Sequence, residues 1–294
     1  MREDPSKEAQ PAVSDRAMRL LIRIARKLPP WLGYRLAVWA GWLSAWIFPH
    51  RRAILESNLA PVLGNESARR LRRVAAQIFG HALLSYYELL RMPMLPLEKV
   101  LEMVESEEPG WTQLLEAYRR GKGVILVGPH QSSFDMAGCM MVAHGLRLCV
   151  FTLPDEVGYG SLNELRGDSG AQVLPAGPGA VRQALRALRR GEVLVMAGDR
   201  PTKGQGTVVE FFGRPTLLPD GHVRLALHTG AAVFVAFAFR EGRKYHLSFA
   251  PQEIVRTGDT QADIRENVQR IARALEPPIR ARPAQWHLFR RLWE

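Results

Sequence analysis

The stretch Gly123-Val124-Ile125-Leu126-Val127-Gly128-Pro129-His130-Gln131-Ser132-Ser133-Phe134-Asp135 reads as a strand, a turn and a helix start in succession. A short aliphatic run between glycines has the pattern of a strand buried on both faces, as in the middle of a parallel sheet. Gly128-Pro129 ends the run and begins a turn. The turn carries His130, and Asp135 opens the next helix. Ligands of open α/β sheets sit outside the carboxyl ends of the strands, where this turn would lie. A neutral imidazole there can take a proton from a hydroxyl and return it to a leaving group. A carboxylate on the other ring nitrogen would fix the tautomer and stabilise the imidazolium. Asp135 is the candidate partner, although Ser132-x-x-Asp135 equally fits a capping box. Capping leaves His130 unexplained.

Outward from this stretch, strands and helices alternate. A helix near 109–120 precedes it. Helix 133–144, strand 147–151, strand 172–174, helix 180–190 and strand 193–197 follow. Strand 207–212, helix 221–229, strands 232–239 and 244–249 and helix 263–275 complete the series. This order predicts an α/β fold with a mainly parallel central sheet flanked by helices. Strand 193–197 runs into Gly198-Asp199-Arg200 and so reaches the same edge as His130. Gly167-Asp168-Ser169-Gly170 mimics a serine protease nucleophile sequence, but that fold is all-β. Gly177-x-Gly179 lacks the third glycine of a dinucleotide fingerprint. Both read as turns.

The 294 residues suffice for a substantial core, and 47% apolar with 23% charged residues excludes wholesale disorder. The net charge of +11 points to an anionic partner, nucleic acid or an acidic membrane surface. Cys139 and Cys149 have neither metal-ligand spacing nor a disulfide framework. No metal or other cofactor is expected.

Residues 1–14 read as a disordered tail without the features of a signal peptide. In 15–28, Arg16, Arg19, Arg23, Arg26 and Lys27 fall on one helical side, with Met18, Leu21, Ala25 and Leu28 on the other. A basic amphipathic helix of this kind lies in the headgroup region of an anionic bilayer; a solvated polar face would show the same pattern. After Pro29-Pro30, the apolar segment 31–48 sets Trp31, Trp39, Trp42 and Trp46 on one face with Arg35. Tryptophan favours the apolar–wet boundary, and Arg35 opposes a clean crossing. The expectation is shallow insertion, with packing on the core or a full span as alternatives. In helix 66–91, His81 and Glu88 read as structural. The region lacks nucleic-acid signatures, which favours membrane over nucleic acid. The expected organisation is a tail (1–14), a helical membrane-associating region (15–96) and an α/β domain (97–294), with 15–294 as one folded unit.

Glu210-Phe211-Phe212-Gly213, Thr229-Gly230-Ala231 and the closing Pro283-Ala284-Gln285-Trp286 with Arg290-Arg291-x-Trp293 join the His-x4-Asp element His130/Asp135 and an arginine-rich start before Asn58-Leu59. As a set they resemble the bacterial lipid A late acyltransferase and phosphatidylinositol mannoside acyltransferase family, of glycerolipid acyltransferase type. Asp199-Arg200 and Glu210 look closer to the mannoside branch. The resemblance implies transfer of a fatty acyl chain from acyl-CoA or acyl carrier protein to a hydroxyl of a lysophospholipid or glycolipid, at the cytoplasmic face of the cell membrane. It implies His130 as base, Asp135 as its partner and Glu210 as an acid completing the relay. Ser133, Phe134, Arg166, Asp199, Arg200, Phe212 and Gly213 become candidate substrate contacts, with amides near Ser133 as oxyanion donors. The chain departs from the family where Gly-Asn-Trp is replaced by Ser132-Ser133-Phe134 and an aromatic–arginine pair by Phe151-Thr152-Leu153-Pro154. The alternative is a non-catalytic lipid-binding or membrane-tethering protein of the same fold.

Overall fold

A computed structural model describes residues 15–64, 66–152, 159–175, 177, 179–200 and 206–293. The expected tail 1–14 and the positions Leu153 and Pro154 lie outside the described residues. Four helices open the fold: α1 (Asp15–Lys27), α2 (Pro30–Ile47), α3 (Pro49–Leu63) and α4 (Ala68–Arg91). Then come α5 (Leu97–Met103), β1 (Val104–Ser106), α6 (Gly110–Arg119), β2 (Val124–Gly128), α7 (Phe134–Ala143), β3 (Leu148–Thr152), α8 (Tyr159–Asp168) and β4 (Gln172–Pro175). The chain continues through α9 (Ala180–Arg189), β5 (Val193–Ala197), β6 (Thr207–Phe211), β7 (Arg214–Leu218), α10 (Gly221–Thr229), β8 (Ala232–Glu241), β9 (Lys244–Gln252) and α11 (Thr260–Ala281). A 3₁₀ turn at Pro283–Gln285 leads into the closing tail.

The main sheet has seven strands in the order β1-β9-β8-β2-β5-β3-β4. Every neighbouring pair is parallel except β8–β9. β2 is central, and its aliphatic run is divided between two cores by the pleat. Ile125 and Val127 enter the layer built with α9, α10 and α11, whereas Val124 and Leu126 enter the layer built with α6 and α7. Strand β8 divides in the same way, with Val233 and Val235 on one side and Phe234 and Ala238 on the other.

The expected strand at 207–212 is one arm of a hairpin outside the main sheet, β6 paired antiparallel with β7. Pro215 hid the second arm, since proline argues against a strand away from an edge. Helix α8 was hidden by Gly160 and Gly167, which depress helix propensity. α5 and β1 are too short for a period to show.

In α2 the small residues Gly33, Gly41 and Ala45 are buried. A Cβ on Gly41 would stand 2.4 Å from the Gly80 Cα of α4, so the two backbones touch. The tryptophans of α2 are exposed, Trp39 and Trp46 at 76% and 75% and Trp31 and Trp42 less so, whereas Tyr34 packs edge-on against Tyr87 of α4. On α1, Met18 and Ile22 pack inward, whereas Leu20, Leu21 and Ile24 are exposed. Of the expected apolar side, Leu21 is thus exposed while Met18 and Ala25 pack inward. The carbonyls of Ala25 and Leu28 at the end of α1 accept from Arg91 Nη1. Among the described residues no helix is long and apolar enough to cross a membrane.

Candidate active site

Register builds the site. Gly128 at the end of β2 pairs with Ala197 at the end of β5, and the Gly198 amide extends the ladder to the Gly128 carbonyl at 2.9 Å. His130 and Asp199 each lie two residues past those paired ends and come side by side. Gly198 is required there, because a Cβ would meet Val127 Cγ1 at 2.5 Å. His130 Nδ1 lies 2.7 Å from Asp199 Oδ1. The His130 amide donates to Asp199 Oδ2 at 2.8 Å, and the Trp286 indole Nε1–H donates to the same oxygen at 2.7 Å.

The Asp199 side chain is 0% exposed and the His130 side chain 31% exposed. Burial pushes the Asp199 carboxyl up, but the His130 charge and the hydrogen bonds from His130 and Trp286 outweigh it and hold the group below the usual carboxylate range. Hydrogen bonds to a charged group contribute about 1.5–3 kcal/mol each, which offsets the desolvation of the anion. An ionised carboxylate can only accept, so Nδ1 carries the proton and Nε2 presents its lone pair.

The expected pairing of His130 with Asp135 is therefore replaced by one with Asp199. Asp135 sits on the first turn of α7, and Arg166 from α8 closes on it with Nε 2.7 Å from Oδ1 and Nη2 3.4 Å from Oδ2. Arg166 also lies 5.2 Å over the Phe134 ring and donates to Asn163 Oδ1 at 3.2 Å. The capping box is not formed. The N-cap of α7 is Ser133, in the left-handed region at φ 67° and without a side-chain cap bond. Ser132 Oγ instead donates to Gln285 Oε1. The Ser133 amide meets Ser85 Oγ at a long 3.4 Å.

Glu210 does not approach His130. Its side chain is exposed on β6, while its amide and carbonyl are held by the Gln269 side chain of α11, each at 2.8 Å. Phe212, at φ 50°, is buried against Trp286 with ring centroids 6.2 Å apart. Gly213, at φ 71°, makes the exposed turn of the hairpin. Phe212 thus packs behind the dyad through Trp286, Gly213 faces solvent, and Asp199 is buried against His130 instead of facing a ligand. Glu88 is held within the fold: Tyr245 Oη donates to it at 2.7 Å, and Arg240 lies 3.4 Å from the same carboxylate.

His130 opens onto a cavity of about 2880 Å³ that extends over both faces of the sheet. Arg51, Arg166, Arg200, Arg224, Arg290 and Arg291 line it, against only Asp135 and Asp220 as carboxylates among the described residues. Both carboxylates are ion-paired, Asp135 with Arg166 at 2.7 Å and Asp220 with Arg224 at 2.8 Å. Apolar side chains such as Leu89, Met92, Met141, Leu185 and Leu217 supply much of the remaining wall. Sequence reading missed Arg51, Arg224 and Trp286 as parts of this site. The closing Gln285-Trp286 motif marked Trp286 but not its role, because its partner Asp199 is 87 positions away.

A histidine–aspartate pair at the carboxyl edge of a mainly parallel sheet, opening on an apolar cavity with an arginine excess, defines an α/β protein equipped for proton transfer beside an amphipathic, anionic ligand. Comparison narrows this to one family. Residues 15–294 match the family model described as bacterial lipid A biosynthesis acyltransferase, and the chain belongs to that family. It is an acyltransferase. It is 31% identical over 247 residues to a phosphatidylinositol mannoside acyltransferase of Mycobacterium tuberculosis (strain CDC 1551 / Oshkosh), covering 81% of this chain and 76% of that one. A second relative of the same description, from Mycolicibacterium smegmatis (strain ATCC 700084 / mc(2)155), is 28% identical over 252 residues, covering 81% and 78%.

Proposed function

We propose that the protein transfers a fatty acyl chain from a thioester donor, acyl-CoA or acyl carrier protein, to a hydroxyl of a lysophospholipid or glycolipid. The observation that carries this reading is the His130–Asp199 pair, 2.7 Å apart, at the mouth of an apolar cavity with six arginines. His130 Nε2 takes the proton of the acceptor hydroxyl. The oxygen then attacks the thioester carbonyl, and the C–S bond breaks as the tetrahedral intermediate collapses. The imidazolium returns its proton to the departing sulfur. Asp199 keeps the proton on Nδ1 and stabilises the imidazolium between the two transfers. The Ser133 amide, weakly held by Ser85 in this structure, is the oxyanion donor. Arg166 keeps Asp135 and Arg224 keeps Asp220 neutralised at the wall, and Arg51, Arg200, Arg290 and Arg291 receive the phosphates of donor or acceptor. The chemistry calls for no cofactor beyond the donor.

The protein works at the cytoplasmic face of the membrane as a peripheral protein. Support comes from the exposed tryptophans of α2 and from the basic, amphipathic sequence of α1, features suited to an anionic bilayer. The test is thiol release from long-chain acyl-CoA or acyl carrier protein, with and without an extract of lysophospholipids and glycolipids. Acceptor-dependent release should fall about 10²–10⁴-fold or more in His130→Ala. Lipid binding without release from either donor would favour the non-catalytic lipid-binding reading.

A further inference from the structure

Trp286 is 1% exposed and packs on Phe212, which by itself would make it an ordinary core residue. Its indole N–H is not ordinary. The other buried tryptophan of the tail, Trp293, has Nε1 without a hydrogen-bond partner among the described residues. Trp286 Nε1–H instead donates at 2.7 Å to Asp199 Oδ2, the oxygen that also accepts from the His130 amide. With two donors on Oδ2, rotation of the carboxylate is blocked and Oδ1 is left facing His130 Nδ1. The neighbours of Trp286 grip the same loop. The Gln285 carbonyl accepts from the Ser132 amide at 2.9 Å, and the His287 amide donates to the His130 carbonyl at 2.6 Å. The Gln285 side chain bridges the loop to β8 by accepting from Ser132 Oγ and from the Arg240 amide. Asn58 of α3 anchors the tail beyond, donating to the carbonyls of Leu288 and Arg290 at 2.9 and 2.6 Å.

We propose that Trp286 is a positioning residue of the reaction: its indole N–H fixes the Asp199 carboxylate and thereby the tautomer and aim of the His130 ring. It acts through Asp199 and is absent from the cavity wall. The inference rests on His130 being the base, and its test separates the two ideas. Thiol release is measured for the full chain, for Trp286→Phe and for the protein carrying 3-benzothienylalanine at 286, which keeps the shape but loses the N–H. Both should lose about tenfold to a hundredfold in kcat, with KM within about twofold. The acid limb of kcat should move to higher pH, because Asp199 loses a donor to its charged form. Adding Trp286→Phe to Asp199→Asn should cost less than about threefold more. Wild-type kcat and acid limb beside an inactive His130→Ala would overturn this inference alone, as would a loss confined to KM or losses that multiply. Full release by His130→Ala would overturn the base reading, and this inference with it. Independently of activity, the Trp286 indole proton, assigned by its disappearance in Trp286→Phe, should shift in Asp199→Asn. A resonance unmoved by that change would overturn the contact itself.

Discussion

At the residue scale, burial and register choose among the carboxylates. Asp135 is nearest in sequence and Glu210 belongs to a suggestive motif, yet only Asp199 touches the imidazole. Asp199→Asn should retain the fold and lower kcat by about 10²–10⁴-fold, because an amide no longer dictates which ring nitrogen carries the proton. Glu210→Gln should stay within about twofold of wild type, as an exposed side chain away from the cavity. A steady-state comparison of the two variants checks this. The opposite ranking would restore Glu210 to the relay and remove Asp199. His130 was legible from its place after a buried strand. Asp199 was legible as a residue at the same edge but not as the partner, because the separation of 69 positions is closed only by strand pairing.

At the element scale, α2 inverts the usual pattern of a surface helix. Glycines and alanine face α4, and tryptophans face outward. Close backbone packing of Gly41 on Gly80 holds the helix to the protein and leaves its tryptophans exposed. Trp39→Ser with Trp46→Ser should lower partition into anionic vesicles by about tenfold or more, since each buried indole contributes on the order of 1.5–3 kcal/mol. Melting should be unchanged, because neither ring touches the core. Reversing Arg19, Arg23 and Arg26 to glutamate should weaken binding further at low salt, by about 1 kcal/mol per charge lost near the surface. Sedimentation with vesicles distinguishes the cases. Unchanged partition in both sets would mean that these helices do not meet lipid. The four tryptophans were legible as a face, but which side of α2 that face took depended on α4.

At the scale of the whole molecule, buried titratable groups set the pH range of the fold. Burial pushes His222 and, with the help of Arg240, His81 from 6.5 down to about 4, and with the neighbouring histidines it pushes His287 to about 3. They stay neutral in the folded protein while the unfolded chain takes up protons below pH 6.5, so stability is lost as pH falls through that window. Glu88 acts in the opposite sense. Burial raises it from 4.5 to about 7, so the folded state holds its proton better and gains as pH falls. Three histidines against one glutamate leave a net of two protons between pH 6.5 and 4.5. Stability should therefore fall with acidification by about 3 kcal/mol per pH unit at the steepest. Melting temperatures from pH 7.5 to 5.0 check this, and His222→Leu should flatten the slope. A melting temperature that holds steady or rises toward pH 5.0 would mean that these histidines are protonated in the folded protein.

The alternation of strands and helices, the central buried strand and the histidine at its end were determined by the sequence itself. Apolar period, glycine and proline act over a few residues, and nothing distant has to agree with them. The partner of that histidine, the side of α2 turned outward and the grip of Trp286 on Asp199 were decided by the tertiary structure. Each joins elements far apart in the chain, and the register of β2 against β5 selects one carboxylate from several that look alike in sequence. The closing tail shows the same physics. Its tryptophans are both buried aromatics, and only the packing of the tail against the sheet edge gives one of them a carboxylate to hold.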